Sequence, residues 1–153
     1  MIRYDAVISQ YNKTSTGIFF SFQGGDIEAQ RAYIWTLLSS THQGICLYID
    51  AEKRFSKHMP PPRYAHVLCI SFSDFSTICE VVNEISKHIS IDIIIVDPFP
   101  DWDKIPLGWM YTRLKNIIRQ HNIKVYLLFY PENRPLFHAQ VYIDLRRCIT
   151  QEQ

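Results

Sequence analysis

Two acidic residues stand where a phosphate-handling site needs them. Asp97 closes the apolar run Ile93-Ile94-Ile95-Val96. An acid at the end of such a run binds Mg²⁺, directly or through water. Glu52 follows Tyr48-Ile49-Asp50-Ala51, and a glutamate there can orient water for attack on a γ-phosphate. Each also has a plainer reading. Many parallel strands end in Asp, and Asp50-Ala51-Glu52 is equally a solvated acidic turn.

The residues that would grip the phosphates are missing. The apolar run Ile18–Phe22 leads into Gln23-Gly24-Gly25-Asp26-Ile27-Glu28 and then a helical run from Ala29 to Leu38. Strand, glycines and helix in that order form the setting of a phosphate-binding loop. Such a loop needs Lys to neutralise phosphate charge and a hydroxyl to hold Mg²⁺, directly after its last glycine. Asp26 and Ile27 occupy those two places. An Asp repels polyphosphate, and Ile cannot ligate a metal.

Positioning these residues takes a sheet with helices. Apolar runs predict strands at Ile18–Phe22, Ile45–Ile49, Val67–Ser71, Ile91–Val96, Ile123–Phe129 and Val141–Leu145. The most β-branched of them, Ile91–Val96, is expected at the centre. Helices are predicted over Asp26–Ser40, with Asp26 as a cap, and over Leu107–His121. A third spans Asp74–His88, where Phe75, Ile78, Val82, Ile85 and Ile89 recur at spacings of three and four. Pro60-Pro61-Pro62 ends any helix begun at Lys53. Alternating strands and helices imply a mostly parallel sheet covered on both sides. Residues 1–16 read as a polar arm or linker, and 17–153 as one α/β domain.

Composition narrows the classes. The chain has 153 residues, of which 47% are hydrophobic, and a net charge of +1. It can bury a real core, and no global field favours nucleic acid. No apolar run is long enough to span a bilayer, and Met1–Asp5 does not open a signal peptide. Cys46, Cys69, Cys79 and Cys148 show no C-x-x-C spacing. Cys46 and Cys69 lie in apolar runs and are expected to be buried free thiols of a reducing compartment. The six histidines share no metal spacing, so no metal is expected.

In order and spacing, these segments resemble the RecA-family recombinase core, especially its eukaryotic and archaeal branch and the paralogues. The resemblance covers most of residues 17–147. Gly17–Arg31 is similar to a degraded Walker A strand, loop and helix. Tyr48-Ile49-Asp50-Ala51-Glu52 with Phe55 resembles the family's Tyr-Ile-Asp-Thr-Glu-Gly-Thr-Phe, in which the position of Glu52 is the catalytic glutamate. Val67–Asp74 resembles the strand and turn that follow, and Ile93–Asp97 the Walker B strand. Phe137–Arg147 resembles the Trp-Ala-His-Ala segment with its arginines, here expected as an edge strand or hairpin arm. The chain departs from the pattern at the phosphate-loop Lys and Thr and at the sensor amide, absent after Tyr126-Leu127-Leu128-Phe129-Tyr130. The DNA-holding loops are nearly gone as well.

The resemblance implies a RecA-like P-loop-type α/β fold without ATP hydrolysis and without a cofactor. Gly24, Gly25, Asp26, Ile27, Glu52 and Asp97 are then remnants of a nucleotide site. It further implies a nuclear, non-catalytic recombinase paralogue. Such a subunit heterodimerises with another RecA-like protein and assists recombinase filaments on single-stranded DNA in homologous recombination, with no membrane contact. Asp97, Phe99, Asp101, Trp102, Asp103 and Trp109 are the expected partner interface, since aromatics anchor interfaces. Arg134, Arg146 and Arg147, with Lys57 and Arg63, are the candidate nucleic-acid contacts, although a solvated face is the simpler reading. Two alternatives stand beside this one: a pseudo-ATPase of an Elongator-type ring serving tRNA modification, and a weak, unconventional ATPase using Glu52 and Asp97.

Overall fold

The computed structural model describes residues 3–40, 44–54, 66–71, 75–99, 107–131 and 139–148. Its strands are β1 (Ile18–Gln23), β2 (Ile45–Asp50), β3 (Val67–Ile70), β4 (Ile91–Asp97), β5 (Lys124–Leu127) and β6 (Val141–Asp144). Its helices are α1 (Asp5–Tyr11), α2 (Ile27–Ser40), α3 (Phe75–Ser86) and α4 (Leu107–Gln120), and a 3₁₀ turn, Leu145–Cys148, follows β6.

The strands form one sheet in the order β3-β2-β4-β5-β1-β6, and every pairing is parallel. This is the parallel α/β sheet, covered by helices on both faces, that the alternating strands and helices imply. β6 is an edge strand paired parallel to β1, so the hairpin-arm reading of Phe137–Arg147 does not hold. β4 lies between β2 and β5, as its β-branched run requires.

Each sheet face has its own core. Ile78, Cys79 and Val82 of α3 pack with Leu114, Ile117 and Ile118 of α4 over Ile94, Val96 and Leu127. On the other face Ile34, Leu37 and Leu38 of α2 meet Phe20, Tyr48, Ile95 and Tyr126, with the Phe20 and Tyr126 rings stacked at 4.6 Å. Residues 5–11, within the stretch read as a polar arm, form α1, and its Val7 and Ile8 are buried in this second core. Two apolar positions one residue apart are too short a pattern to announce a helix.

One burial expectation fails. Cys46 is buried, but Cys69 is exposed. β3 is the outermost strand on its side, so an apolar run there does not guarantee cover. All four cysteines are free thiols.

Candidate functional site

In an open parallel sheet, ligands bind beyond the carboxyl ends of the strands. Here β1, β2 and β4 deliver the Gly24-Gly25 loop, Glu52 and Asp97 to that end. The backbone ladder continues past the strands and fixes their spacing: Ala51 N–H donates to Asp97 O (3.0 Å), and Phe99 N–H donates to Leu128 O (2.7 Å).

Asp97 is fully buried, and its carboxylate is saturated by the chain itself. Arg31 Nε donates to Oδ1 at 3.0 Å and to Oδ2 at 3.1 Å. The same guanidinium brings a second nitrogen to 2.9 Å from Oδ1. Tyr48 donates its hydroxyl to Oδ2, and Arg54 stands 3.3 Å from the same oxygen. Nε is shared between the two carboxylate oxygens, and the second nitrogen is at ion-pair distance without hydrogen-bond geometry. Arg31 thus occupies the carboxylate that the sequence marks as a candidate Mg²⁺ ligand. Its own pKa is raised: burial opposes the charge, and the hydrogen bond and charge of Asp97 outweigh that.

Arg31 reaches Asp97 because of its place on α2. Ile27, Ile34, Leu37 and Leu38 mark the buried face at helical spacing. Gln30 and Arg31 fall one turn after Ile27 on that face, and both are buried. Gln30 clamps the end of β5 by donating from Nε2 to Phe129 O (2.9 Å) and accepting from Phe129 N–H at Oε1 (3.0 Å). Glu28, one turn before Arg31, supplies a further carboxylate 2.8 Å from its guanidinium.

The start of α2 is likewise filled from within. Asp26 Oδ1 accepts from Ala29 N–H at 2.8 Å, as an N-cap does. A helix N-terminus attracts anions, and here the anion is the chain's own carboxylate. Ile27, in the place of the metal-holding hydroxyl, is buried in the core under α2.

The two glycines serve packing. A Cβ on Gly25 would lie 2.5 Å from Leu145 Cδ1, and one on Gly24 would lie 2.6 Å from Arg146 Cγ. Gly24 also has φ +80°, a conformation that favours glycine. The 3₁₀ turn after β6 therefore seats directly on the loop. Arg146 is held in place by Asp144, 2.9 Å from Nε to Oδ1.

Glu52 is half-exposed and accepts a hydrogen bond from the Tyr130 hydroxyl. Arg31 lies 3.9 Å from it and 6.0 Å from the centre of the Tyr130 ring. A tyrosine hydroxyl thus holds the glutamate, at the end of a segment that lacks an amide. The space left beside the loop is a cavity of about 390 Å³ lined by Phe22, Gly24, Gly25, Asp26, Gln30, Phe129 and Pro131. Among the described residues that line it, the charged one is Asp26, whose carboxylate would repel a polyphosphate.

The sequence-chosen residues are thus partly united. Gly24, Gly25, Asp26 and Ile27 form one loop and helix start, while Glu52 and Asp97 converge on Arg31. The interface expectation needs correction at two positions: Asp97 is 0% exposed and Phe99 only 6%. Phe99 packs on Phe129, with ring centres 5.4 Å apart, so neither residue presents a surface. Asp101, Trp102 and Asp103 lie outside the described residues, as does the side chain of Trp109 in α4. Arg134, Lys57 and Arg63 are also outside them, whereas Arg146 and Arg147 are exposed at the end of β6. The sequence reading missed Arg31, Tyr48, Arg54 and Tyr130 as site residues. The available signal was a Gln-Arg pair on the apolar stripe of α2.

Among the described residues no cluster of three metal-binding side chains occurs, and no helix is long and apolar enough to cross a membrane. No protein-family model and no curated protein matches the sequence. Among solved structures, the chain is similar to a crystal structure of the RadB recombinase, with 17% identity and a TM-score of 0.49. The match covers 74% of this chain but 61% of that one, so the chain spans about three-fifths of that protein's length.

Proposed function

We propose that the chain is a non-catalytic RecA-like subunit. It pairs with another RecA-like protein and assists recombinase filaments on single-stranded DNA during homologous recombination in the nucleus. The observation that carries the non-catalytic reading is the bond of Arg31 to Asp97. A cation built into the helix occupies Asp97 in place of Mg²⁺, and Asp26 occupies the helix start in place of phosphate. The recombination role rests on the Tyr-Ile-Asp-Ala-Glu segment, the Walker B strand and the arginine-bearing last strand, in their order along the sheet.

The test is affinity purification from the native source, with the native mass of the eluted complex. A one-to-one complex with a RecA-like recombinase paralogue supports the reading. A six-membered ring carrying tRNA-modification subunits overturns it. Mg²⁺-dependent ATP turnover by the purified chain, abolished by Glu52→Ala, overturns the non-catalytic part.

A further inference from the structure

Two histidines far apart in the chain line one small cavity. Its volume is about 240 Å³, and its polar lining is Ser86, Lys87, His88, Ser90 and His121. It lies at the amino end of β4, the opposite end of that strand from Asp97. α3 ends at Ser86 and α4 at Gln120, so the carboxyl ends of both helices meet here. Ile78 and Val82 of α3 pack with Leu114 and Ile118 of α4, which fixes the two ends relative to each other. The closing turns are fixed as well. His88 N–H donates to Ile85 O at 3.0 Å, and His121 N–H donates to Ile117 O at 3.1 Å.

The electrostatics of this place favour a cation. Each helix carries about half a negative charge at its carboxyl end. Lys87 lies 2.9 Å from Glu84, so a carboxylate offsets its ammonium. A phosphate-sized anion would face two negative helix ends. A neutral imidazole, by contrast, offers a ring nitrogen and is the commonest metal ligand. Ser86 adds a separate sign. Its Oγ is buried and has no hydrogen-bond partner among the described residues, a state that an ion or ordered water can satisfy.

From the two imidazoles, the unsatisfied hydroxyl and the converging helix ends, we propose that this cavity binds a divalent first-row transition-metal ion through His88 and His121. Nickel, copper and zinc are ions that imidazole suits. The two rings fill two coordination positions and leave the others to hydroxyl, carbonyl or water, so the site is open rather than a closed structural cage. The bound ion pins the end of α3 to the end of α4. His88 is exposed and His121 half-buried, which gives the ion a way in. Sequence spacing does not announce the pair, because only the packing of α3 on α4 brings it together.

The test is calorimetric titration of the full chain, free of any histidine tag, with nickel chloride at about pH 8, where free imidazole is unprotonated. Nickel is the probe because thiolates favour copper(I) and zinc, and Cys69 is an exposed thiol. Saturable binding of a single ion is expected. His88→Ala and His121→Ala, each alone, should weaken it by at least about tenfold. Nickel should also raise the melting temperature, since it binds the folded pair of helices, and both variants should lose that rise. His66→Ala and Cys69→Ser should change neither readout. Absence of saturable binding, or unaltered binding in either of the first two variants, overturns the proposal. So does loss of binding in Cys69→Ser or His66→Ala, which moves the ion elsewhere. Stabilisation by inorganic phosphate and not by nickel, lost in the same two variants, overturns it in favour of an anion.

Discussion

Replacing Arg31 with Met keeps the aliphatic stem but removes the charge opposite Asp97. The carboxylate is 0% exposed, so it cannot turn to water. It keeps the Tyr48 hydroxyl and Arg54, the latter at 3.3 Å. Breaking a buried ion pair by deleting one partner costs about 3–5 kcal/mol; the surviving donors place Arg31→Met near the lower end. Asp97→Ala strands more groups. The guanidinium retains only Glu28 within 3 Å, and the Tyr48 hydroxyl, in a fully buried side chain, loses its acceptor. A buried hydroxyl deprived of this acceptor adds about 1–3 kcal/mol, so the expected total is about 4–8 kcal/mol. A domain stable by about 5–15 kcal/mol would be left close to unfolding. The double variant Arg31→Met with Asp97→Asn leaves neither charge buried alone. It is expected to cost less than the two single changes combined by about 2 kcal/mol. Urea unfolding followed by circular dichroism measures each cost as a shift in midpoint at constant slope. A loss under about 1 kcal/mol for Arg31→Met, or additivity within about 0.5 kcal/mol, would refute the reasoning.

Other consequences are open to simple measurements. Asp26→Ala removes the cap of α2 and should cost about 1 kcal/mol in thermal or urea unfolding, with Asp26→Asn nearly neutral. Gly25→Ala drives a methyl group to 2.5 Å from Leu145, and the overpacking should cost about 1–3 kcal/mol. Asp26→Lys with Ile27→Thr should not yield ATP turnover in a phosphate-release assay, because Arg31 remains on Asp97 and Phe20 stands at the first loop-glycine position. Of the four thiols, Cys69 should react first with an aromatic disulfide reagent in the native state, since the other three are buried. Burial pushes the Cys79 thiol up to about 11 and raises Tyr33, Tyr48, Tyr126 and Cys46 as well. These groups hold their protons more tightly when folded. Their stabilisation is complete below the unfolded thiol value of about 8.5 and fades as pH rises above it. Unfolding midpoints measured across that range should fall; a flat profile would contradict the burial.

The sheet was legible because its inner strands are buried on both faces and read as unbroken apolar runs, Ile45–Ile49 and Ile91–Val96 above all. The cap was legible because Asp26 acts on its own neighbour, Ala29. The occupants of the site were not. Arg31 and Asp97 are 66 residues apart, and Tyr130 and Glu52 are 78 apart. No local pattern joins such residues; only the strand order does. Cys69 shows the same limit from the other side. An edge strand and a central strand can share one composition, and position in the sheet decides which is covered.

The seat of Leu145 and Arg146 on the two glycines also bears on which substitutions the chain can accept. To build a phosphate grip here, the loop would have to swing free of the turn, α2 would have to give up Arg31, and Asp26 would have to become basic. Each step alone lowers stability before any new contact can offset it. The internal occupants therefore lock the site, and selection for folding alone is enough to preserve them.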